Sequence, residues 1–456
     1  MKKSRKQLQS AVWSLPQLRF EDQALTSFSG LIIFQRLFQI LGLKERLRAC
    51  VRHVRFASSY GLHTIILLLT VHLLLGWRRL RDLDAYATDP LVLRALGLRA
   101  LPSVATVSRA LREMDPTVVD QLGDLVSELV LERAVGLPCV TLDFDGSVQS
   151  TKSRATEGTA VGYNPKAKGQ RGYYPLFCTV AQTSQVLDVL HRPGNVHDSN
   201  GALQFIQRAF ARLDESGFRA RREARLDAAH FSEGTCCWLD GQGIEFSISV
   251  PFLRFPDLKE KVEGRQHWRR IDDDWSFFEI TWKPKKWDHR FRVILYRHRI
   301  PVPRKRPIQL EIFEPVHREF DYKAVVTNKR GSAARVLAFH NGRGSQEGLF
   351  AELKSQLQMD YLPTRRLVGN QVYLLCALLA HNLYREFRMR LDSPARKFTL
   401  KRACLWAVER IGTFRKRVIQ RAGRLTRPEG VLTLTVSATA ETARDLLRSL
   451  ECLKAA

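Results

Sequence analysis

The sequence predicts an α/β protein in which a mixed-sheet core carries a β-rich insertion and follows an all-α N-terminal region. Apolar residues recur at three- and four-residue spacing from residue 20 to residue 137, as on the buried faces of helices. From residue 138 onwards, short β-branched and apolar runs alternate with helical segments, which is typical of a mixed sheet. Residues 252–335 interrupt this order with alternating aromatic and charged residues, which indicates an inserted β-rich unit.

The N-terminal region, residues 1–137, contains a segment that starts like a capped helix. Ser103 precedes a periodic apolar run and is placed to cap it, while Thr106 and Arg109 fall on the polar face of that run. The segment fits either a helix-turn-helix that binds DNA or an ordinary solvated helix. The sequence leaves both interpretations open.

The core is expected in two parts, residues 138–251 and residues 336–390, followed by a basic helical region, residues 391–456. Pattern and turn signals in the first part predict strands over 139–145, 174–180, 186–190, 223–226 and 244–250 and helices over 200–213 and 235–239. The second part is expected to hold one long helical stretch over 345–388.

The insertion, residues 252–335, is rich in tryptophan and in basic residues. Its tryptophans are Trp268, Trp275, Trp282 and Trp287, and its basic runs include Lys283, Lys285 and Lys286 and then Arg304, Lys305 and Arg306. The tryptophans fit the aromatic core of a small sheet as well as they fit contacts with nucleic-acid bases. Basic runs are often solvated surface, but in so basic a chain phosphate binding is at least as well supported.

Length and composition indicate a folded protein with a polyanionic partner. The 456 residues suffice for two or three domains, and 45% hydrophobic with 26% charged residues excludes a disordered chain. The 73 Lys and Arg residues exceed the 46 Asp and Glu residues, which leaves a net charge of +27. Such an excess goes beyond what solubility needs and favours a polyanion such as nucleic acid.

Cysteine usage and hydropathy favour a cytoplasmic location without a membrane segment. The eight cysteines show neither paired CxxC spacing nor the density of a secreted disulfide-rich protein. The N-terminus lacks the apolar run of a signal peptide. The apolar segment 61–77 is shorter than the roughly 20 residues of a membrane span and contains His63 and His72, so we expect a buried helix.

Carboxylates lie where two predicted strands end. Asp143 and Asp145 stand two apart on one strand, so both project from the same face, and Asp145 comes just before Gly146. Asp227 ends another strand in the same way. Strand ends in α/β sheets open onto clefts where loops admit substrate, so these positions predict a site.

A helical stretch supplies a third carboxylate flanked by two cations. Arg343, Glu347 and Lys354 are spaced four and then seven residues apart, which places them on one helix face. Gly342 and Gly344 are poor helix formers, so we expect Arg343 to precede the regular helix. A carboxylate between two cations suits a site where Glu binds metal while Arg and Lys hold phosphates.

The chemistry that needs this set is phosphodiester cleavage or joining. Two divalent ions about 3.5–4 Å apart can activate a hydroxyl nucleophile and neutralise charge on the leaving oxygen. Three carboxylates can hold such a pair, and their hard oxygen ligands favour Mg²⁺ or Mn²⁺ over Zn²⁺. The scattered Cys and His residues supply no rival zinc motif.

The sequence resembles a known family, the bacterial insertion-sequence DDE transposases. Residues 138–390 carry the resemblance, which rests on Asp145-Gly-Ser147 in place of Asp-x-Thr/Ser, on Asp227, and on His340-x2-Arg343-x3-Glu347-x6-Lys354 in place of Tyr-x2-Arg-x3-Glu-x6-Lys. Tyr173–Leu176 and Arg192–Asn195 are similar to the family's strand and turn between the two aspartates. His340 departs from the usual Tyr, which puts a phosphate contact at that position in doubt.

The resemblance implies an RNase H-like core and a set of roles. Asp145, Asp227 and Glu347 would be the catalytic residues that hold two Mg²⁺ or Mn²⁺ ions, with Asp143 as the alternative first ligand, and Arg343 and Lys354 would contact DNA. In family members that cut through hairpin intermediates, a tryptophan of the insertion stacks on a flipped base.

The activity implied is cut-and-paste transposition. The protein would bind the terminal inverted repeats of its own insertion sequence as double-stranded DNA, cleave the ends and join the freed 3′-OH to target DNA. A homodimer in a synaptic complex and a cytoplasmic, nucleoid-associated location are expected with it. The alternatives are a catalytically idle, transposase-derived DNA-binding regulator and a nuclease on the same core.

Overall fold

The computed structural model describes residues 17–18, 24–162, 164, 167–196, 200–299 and 320–454. The described chain has a mixed α/β fold with a helical N-terminal region, a nine-stranded mixed sheet, and helices on both faces of that sheet. This confirms the predicted fold class. The basic run Arg304–Arg306 of the insertion lies outside the described residues.

The helical N-terminal region is built around its most apolar helix. Its described α-helices are α1 (Leu31–Ile40), α2 (Leu43–Val51), α3 (Leu62–Leu74), α4 (Pro90–Leu96), α5 (Val104–Glu113) and α6 (Pro116–Ala134). Every residue of α3 except His63 is buried, as predicted for this segment. None of the described helices is long and apolar enough to cross a membrane. Ser103 caps α5, since its hydroxyl accepts the Thr106 N–H at 3.2 Å.

Three sheets contain the described strands. The strands are β1 (Leu25–Thr26), β2 (Cys139–Gly146), β3 (Gln149–Thr151), β4 (Ala160–Val161), β5 (Arg171–Tyr173), β6 (Leu176–Val180), β7 (Gln185–Leu190), β8 (Arg221–Leu226), β9 (Glu245–Val250), β10 (Arg269–Arg270), β11 (Trp275–Trp282), β12 (Phe291–Arg299), β13 (Phe320–Thr327), β14 (Gly423–Thr426) and β15 (Thr433–Val436). The large sheet has the order β10-β11-β12-β13-β9-β8-β2-β6-β7. In that sheet β8 runs parallel to both of its neighbours, β2 and β9, and the other pairs are antiparallel. The carboxyl ends of β2, β8 and β9 therefore meet at one edge.

Helices cover both faces of the large sheet. The helices after the N-terminal region are α7 (Ala202–Glu215), α8 (Glu233–Gly241), α9 (Pro256–Glu263), α10 (Ala333–Asn341), α11 (Ser345–Gln356), α12 (Leu367–Leu391), α13 (Ile411–Phe414) and α14 (Ala440–Cys452). On one face, Phe144 of β2 packs edge-on against Phe205 of α7 at 5.9 Å. At the β7 edge, Asn382 of α12 exchanges two hydrogen bonds with the backbone of Val186.

The insertion extends the core sheet instead of forming a small sheet of its own. β13 pairs antiparallel with β9, and β12, β11 and β10 follow it outwards. A parallel edge strand such as β9 leaves a row of backbone groups unpaired, and pairing with β13 satisfies them. Sequence alternation predicts strands but does not decide which sheet they join.

Two expectations about helices are wrong. The stretch over 345–388 is two helices, α11 and α12, because Pro363 lies in the intervening segment and Gln358 there has a positive φ of 57°. The region after residue 390, expected to be helical, contains the hairpin of β14 and β15, and β14 also pairs with β1 near the N-terminus. A Pro428-Glu-Gly430 turn and the alternation of Thr433–Val436 favour that hairpin.

Candidate active site

Asp145 and Asp227 lie side by side at the carboxyl ends of two adjacent parallel strands. The register of β2 and β8 pairs Asp143 with Arg225. Two residues further along each strand come Asp145 and Asp227, at the same level and on the same face of the sheet. Neighbouring strands are about 4.8 Å apart, so the two carboxylates face one cleft.

Asp143 is held by Arg225 directly below this pair. The guanidinium of Arg225 donates from Nε and Nη2 to the two oxygens of Asp143 at 2.5 and 2.7 Å. Both side chains are buried, and Nη1 of Arg225 also donates to the carbonyl oxygens of Phe339 and Lys401. Both oxygens of Asp143 are therefore engaged in a buried ion pair, whereas Oδ1 of Asp145 accepts the Gly146 N–H at 2.9 Å and Oδ2 accepts from Arg343 of the signature segment.

Asp145 carries a perturbed charge. Burial raises the pKa of Asp145 to about 6, and the nearby negative charge of Asp227 adds to this effect while Arg343 opposes it. Nη1 of Arg343 donates to Oδ2 of Asp145 at 3.0 Å. The next residue, Gly146, lets the Tyr174 ring lie close, because a Cβ there would come within 2.5 Å of that ring and would make it shift. A cation placed at Asp145 and Asp227 would relieve their mutual repulsion.

Asp227 is oriented by its own turn. Its Oδ1 accepts hydrogen bonds from the backbone N–H of Ala229 at 3.0 Å and from Nδ1 of His230 at 2.8 Å. Burial alone would raise the pKa of Asp227, but the His230 hydrogen bond and charge, with help from Arg343, lower it. Sequence reasoning missed His230, although its spacing of three residues from Asp227 is that of a helical turn.

Glu347 lies in the first turn of α11 and is exposed, with no hydrogen bond or ion pair to the described residues. Two residues just before Glu347 attach the start of α11 to the sheet. Gln346 is buried and donates from Nε2 to the backbone oxygen of Asp143 at 3.2 Å and to the Thr179 hydroxyl at 3.1 Å. Arg343, in the 3-10 turn Gly342–Gly344 just before α11, bonds to Asp145 as described above. Gln346 was not recognised from the sequence.

The three carboxylates are ligands of the type that hard divalent ions prefer. Their oxygens do not all lie within 4.8 Å of one another, since the one such group among the described residues lies elsewhere. Oxygens that hold two ions need not all lie that close together. Asp145 lies next to Asp227 and on the strand that anchors α11, so these residues would hold such ions if they bind.

The remaining residues of the predicted signature differ in their surroundings. Lys354 is half-buried in the last turn of α11, seven residues from Glu347 and therefore on the same helix face. His340 is buried, with Ser247 and Ser249 hydroxyls 2.9 Å from its two ring nitrogens. Burial lowers the pKa of His340 to about 3, so the ring is neutral and does not reach the surface. The structure therefore gives no phosphate contact at the signature position that departs from Tyr.

An aromatic cleft adjoins the site on the insertion side. Trp287 stacks on Phe231 with ring centroids 4.6 Å apart, and Phe231 follows Asp227 by four residues. Together with Phe255, Lys285 and Lys286, these rings line a cleft of about 510 Å³. Trp282 is different, because it is buried and donates from its indole to Asp257 at 2.6 Å.

A second group of possible metal ligands was not expected from the sequence. Ligand atoms of Glu233, Cys237 and His289 lie within 4.8 Å of one another. Oε1 of Glu233 already accepts the backbone N–H groups of Asp288 and His289, at 2.6 and 2.8 Å. These bonds join the start of α8 to the loop before β12.

Solved structures with similarity to this chain include three transposase complexes. The structure of a piggyBac transposase synaptic complex with hairpin DNA aligns at 11% identity and a TM-score of 0.45, covering 82% of this chain and 78% of that chain. A Mos1 transposase paired-end complex aligns at 17% identity, 42% and 60% coverage and a TM-score of 0.18. The Drosophila P element transposase strand transfer complex aligns at 15% identity, 49% and 50% coverage and a TM-score of 0.22.

Sequence families give the stronger result. No curated protein matches the chain significantly. The family described as transposase DDE domain group 1 matches residues 16–456, nearly the whole chain. The protein therefore belongs to the transposase DDE domain group 1 family.

Proposed function

We propose that this protein is a cut-and-paste transposase that cleaves the ends of its own insertion sequence and joins the freed 3′-OH to target DNA. The observation that carries the proposal is the position of Asp145 and Asp227 at one level of two parallel strands, with the Glu347 helix attached to the same strand. Membership in a DDE transposase family supports it. The net charge of +27 supports DNA as the partner.

In this proposal Asp145, Asp227 and Glu347 hold two Mg²⁺ or Mn²⁺ ions. Such ions, when bound, activate the attacking hydroxyl and stabilise the leaving oxygen of a phosphodiester. His230 keeps Asp227 ionised and occupies its Oδ1, which leaves Oδ2 directed to a ligand. Arg343 and Lys354 bind DNA phosphates near the cut, and Arg343 moves from Asp145 to a phosphate when the site is filled.

The proposal extends to assembly and location. The substrates are double-stranded transposon ends that carry inverted repeats, and two ends are brought together by a homodimer in a synaptic complex. The protein acts in the cytoplasm at the nucleoid. A nuclease that cuts without joining uses the same residues, whereas a regulator that only binds DNA does not need two carboxylates at strand ends and a third on α11.

The test uses Asp227→Ala and Glu347→Ala in the full chain. Both variants should lose cleavage of a duplex that carries the element's flanking inverted repeat, and both should still bind it in a gel shift. Cleavage by the unaltered protein should require Mg²⁺ or Mn²⁺ and stop with chelator. Glu352→Gln on the same helix is the control, because that carboxylate binds the Ile411 N–H and should not be needed for cleavage.

Different outcomes separate the candidates. Cleavage at an unchanged rate in either alanine variant would refute the metal assignment. Cleavage without joining of the 3′ end to a target plasmid would identify a nuclease. Binding without cleavage in the unaltered protein would identify a regulator.

A further inference from the structure

Lys323 lies at the sheet edge that carries the two aspartates, on the same face. The register places Asp227 of the β8 end level with Ser249 of β9, and Ser249 pairs with Val325 of β13. Lys323 is two residues beyond Val325, so it has the same orientation and projects one step further over the edge. β13 is two strands from β8, which puts Lys323 about 10 Å to the side of Asp227.

The side chain of Lys323 is held by the turn that carries Arg343. Nζ of Lys323 donates to Oδ1 of Asn341 at 2.8 Å. Asn341 ends α10, and Arg343 follows two residues later with its guanidinium on Asp145. Gly342, between Asn341 and Arg343, fixes this turn against the Lys401 backbone, because a Cβ there would come within 2.0 Å of the Lys401 carbonyl oxygen.

Lys323 is partly buried near another cation and has no carboxylate partner among the described residues. Among the described residues no carboxylate lies within 4.0 Å of its ammonium group, and Asp321 on the same strand face is exposed. Burial lowers the pKa of Lys323, and the positive charge of Arg343 lowers it further. Arg343 already bonds to Asp145, so an anion bound at Lys323 would relieve the repulsion between the two cations.

We propose that Lys323 binds a backbone phosphate of the DNA strand about one or two nucleotides from the cut, on the insertion side of the site. A DNA strand that crosses the edge at Asp145 and Asp227 passes next over β9 and β13, where Lys323 stands. Asn341 holds the ammonium group two residues before Arg343, so two adjacent phosphates would be bound by two neighbouring cations, Lys323 and Arg343. This inference rests on the proposed function and adds a DNA contact to it.

The experiment replaces one DNA phosphate at a time by an uncharged methylphosphonate and measures binding in chelator. The probe is a duplex that carries the inverted repeat of the element. For the unaltered protein, one replacement beside the cut should weaken binding about 10-fold. Lys323→Gln, which keeps a hydrogen-bonding group for Asn341, should weaken binding to the normal duplex by a similar factor and become insensitive to that replacement. Lys323→Arg should keep the sensitivity.

Lys261→Ala is the matched control for loss of one charge. Lys261 is exposed on α9, which packs on the opposite face of the sheet through Leu258 and Val262. The Lys261→Ala variant should lose little affinity for the duplex and should respond to every methylphosphonate as the unaltered protein does. The inference is overturned if Lys323→Gln behaves like Lys261→Ala, or if it stays sensitive to every replacement that affects the unaltered protein.

The outcome is separable from that of the proposed function. If the unaltered protein cleaves DNA but Lys323→Gln abolishes the sensitivity to none of the methylphosphonates, only the Lys323 contact is refuted. If Lys323→Gln abolishes the sensitivity at one phosphate but the unaltered protein cleaves with no divalent ion tested, the contact is established and the catalytic proposal is refuted.

Discussion

Asp143 and Arg225 form a buried bidentate ion pair two residues before Asp145 and Asp227 on their strands. The contact distances are 2.5 and 2.7 Å, and the exposed fractions are 1% for Asp143 and 0% for Arg225. Charge pairs of this kind destabilise strongly when one partner is removed, because the other is left buried and unpaired. The pair therefore supports the strand ends on which Asp145 and Asp227 stand.

We predict different effects from Asp143→Asn and Asp145→Asn. Asp143→Asn should lower the free energy of unfolding by about 3–5 kcal/mol, because it breaks the buried pair. Asp145→Asn should leave stability unchanged or increase it, since it removes a carboxylate that burial and Asp227 already disfavour, and it should abolish cleavage. Urea unfolding and single-turnover cleavage with Mn²⁺ measure both effects. A folded, inactive Asp143→Asn beside an active Asp145→Asn would make Asp143 the first ligand.

Protonation of Glu223 should make the protein less stable in acid. It is fully buried and accepts hydrogen bonds from Thr141 and Arg402, each 2.7 Å away, and from Lys329 at 2.8 Å. Burial alone would raise the pKa of Glu223, but Arg402 and then Lys329 hold it at about 2. A carboxyl group whose pKa is lower in the folded state than in the unfolded state stabilises the fold at pH values above its unfolded pKa. This stabilisation is lost as the pH falls towards the folded pKa. Between about pH 4.5 and about pH 2 the loss should reach about 3 kcal/mol.

Urea unfolding of Glu223→Gln at several acidic pH values tests that sign. The variant should be less stable near neutral pH, and the difference from the unaltered protein should shrink as the pH falls. Glu245→Gln is the control, because Glu245 also pairs with Lys329 but its side chain is 42% exposed. An equal pH dependence in both variants would contradict the assignment to Glu223.

Binding of duplex DNA should depend steeply on salt. If the charge of +27 contacts phosphates, the logarithm of affinity falls linearly with the logarithm of salt concentration, because bound cations release counterions. Lys354→Ala should reduce the slope by about one phosphate contact. Fluorescence anisotropy over a salt series measures it. A slope reduced equally by Lys454→Ala, at the exposed C-terminal end, would show that the slope reports total charge only.

Trp287 and Trp282 of the insertion should behave differently. Trp287→Ala opens the aromatic cleft beside Phe231 and should weaken binding of DNA with an unpaired end base by about 1–3 kcal/mol, the value of one stacked base. Trp282→Ala removes a buried ring and should instead cost about 3–5 kcal/mol of unfolding free energy. Binding of paired and unpaired ends, compared with thermal unfolding, distinguishes them. Equal binding of both ends by Trp287→Ala and the unaltered protein would exclude a base-binding cleft.

Local periodicity accounts for what could be predicted. The buried helix α3, the Ser103 cap and the strand that ends at Asp145 each depend on residues close together in the sequence. The common face of Arg343, Glu347 and Lys354 follows from the helical repeat in the same way. Such signals are complete within one element, so a single sequence contains them.

Pairings between distant segments were decided by the tertiary structure. Alternation does not separate Asp143 from Asp145, because both face one side, and the sequence favours Asp145 only through its strand-end position and its Asp-x-Ser register. The pairing of Asp143 with Arg225, 82 residues away, appears only in the tertiary structure. The continuation of the sheet into β13 and the pairing of β14 with β1 are also long-range contacts. The sequence alone determined the acids, the cations and their order along the chain. Backbone hydrogen bonding is the same for every strand, so which strands meet, and which carboxylate faces the cleft, depends on packing across the whole fold.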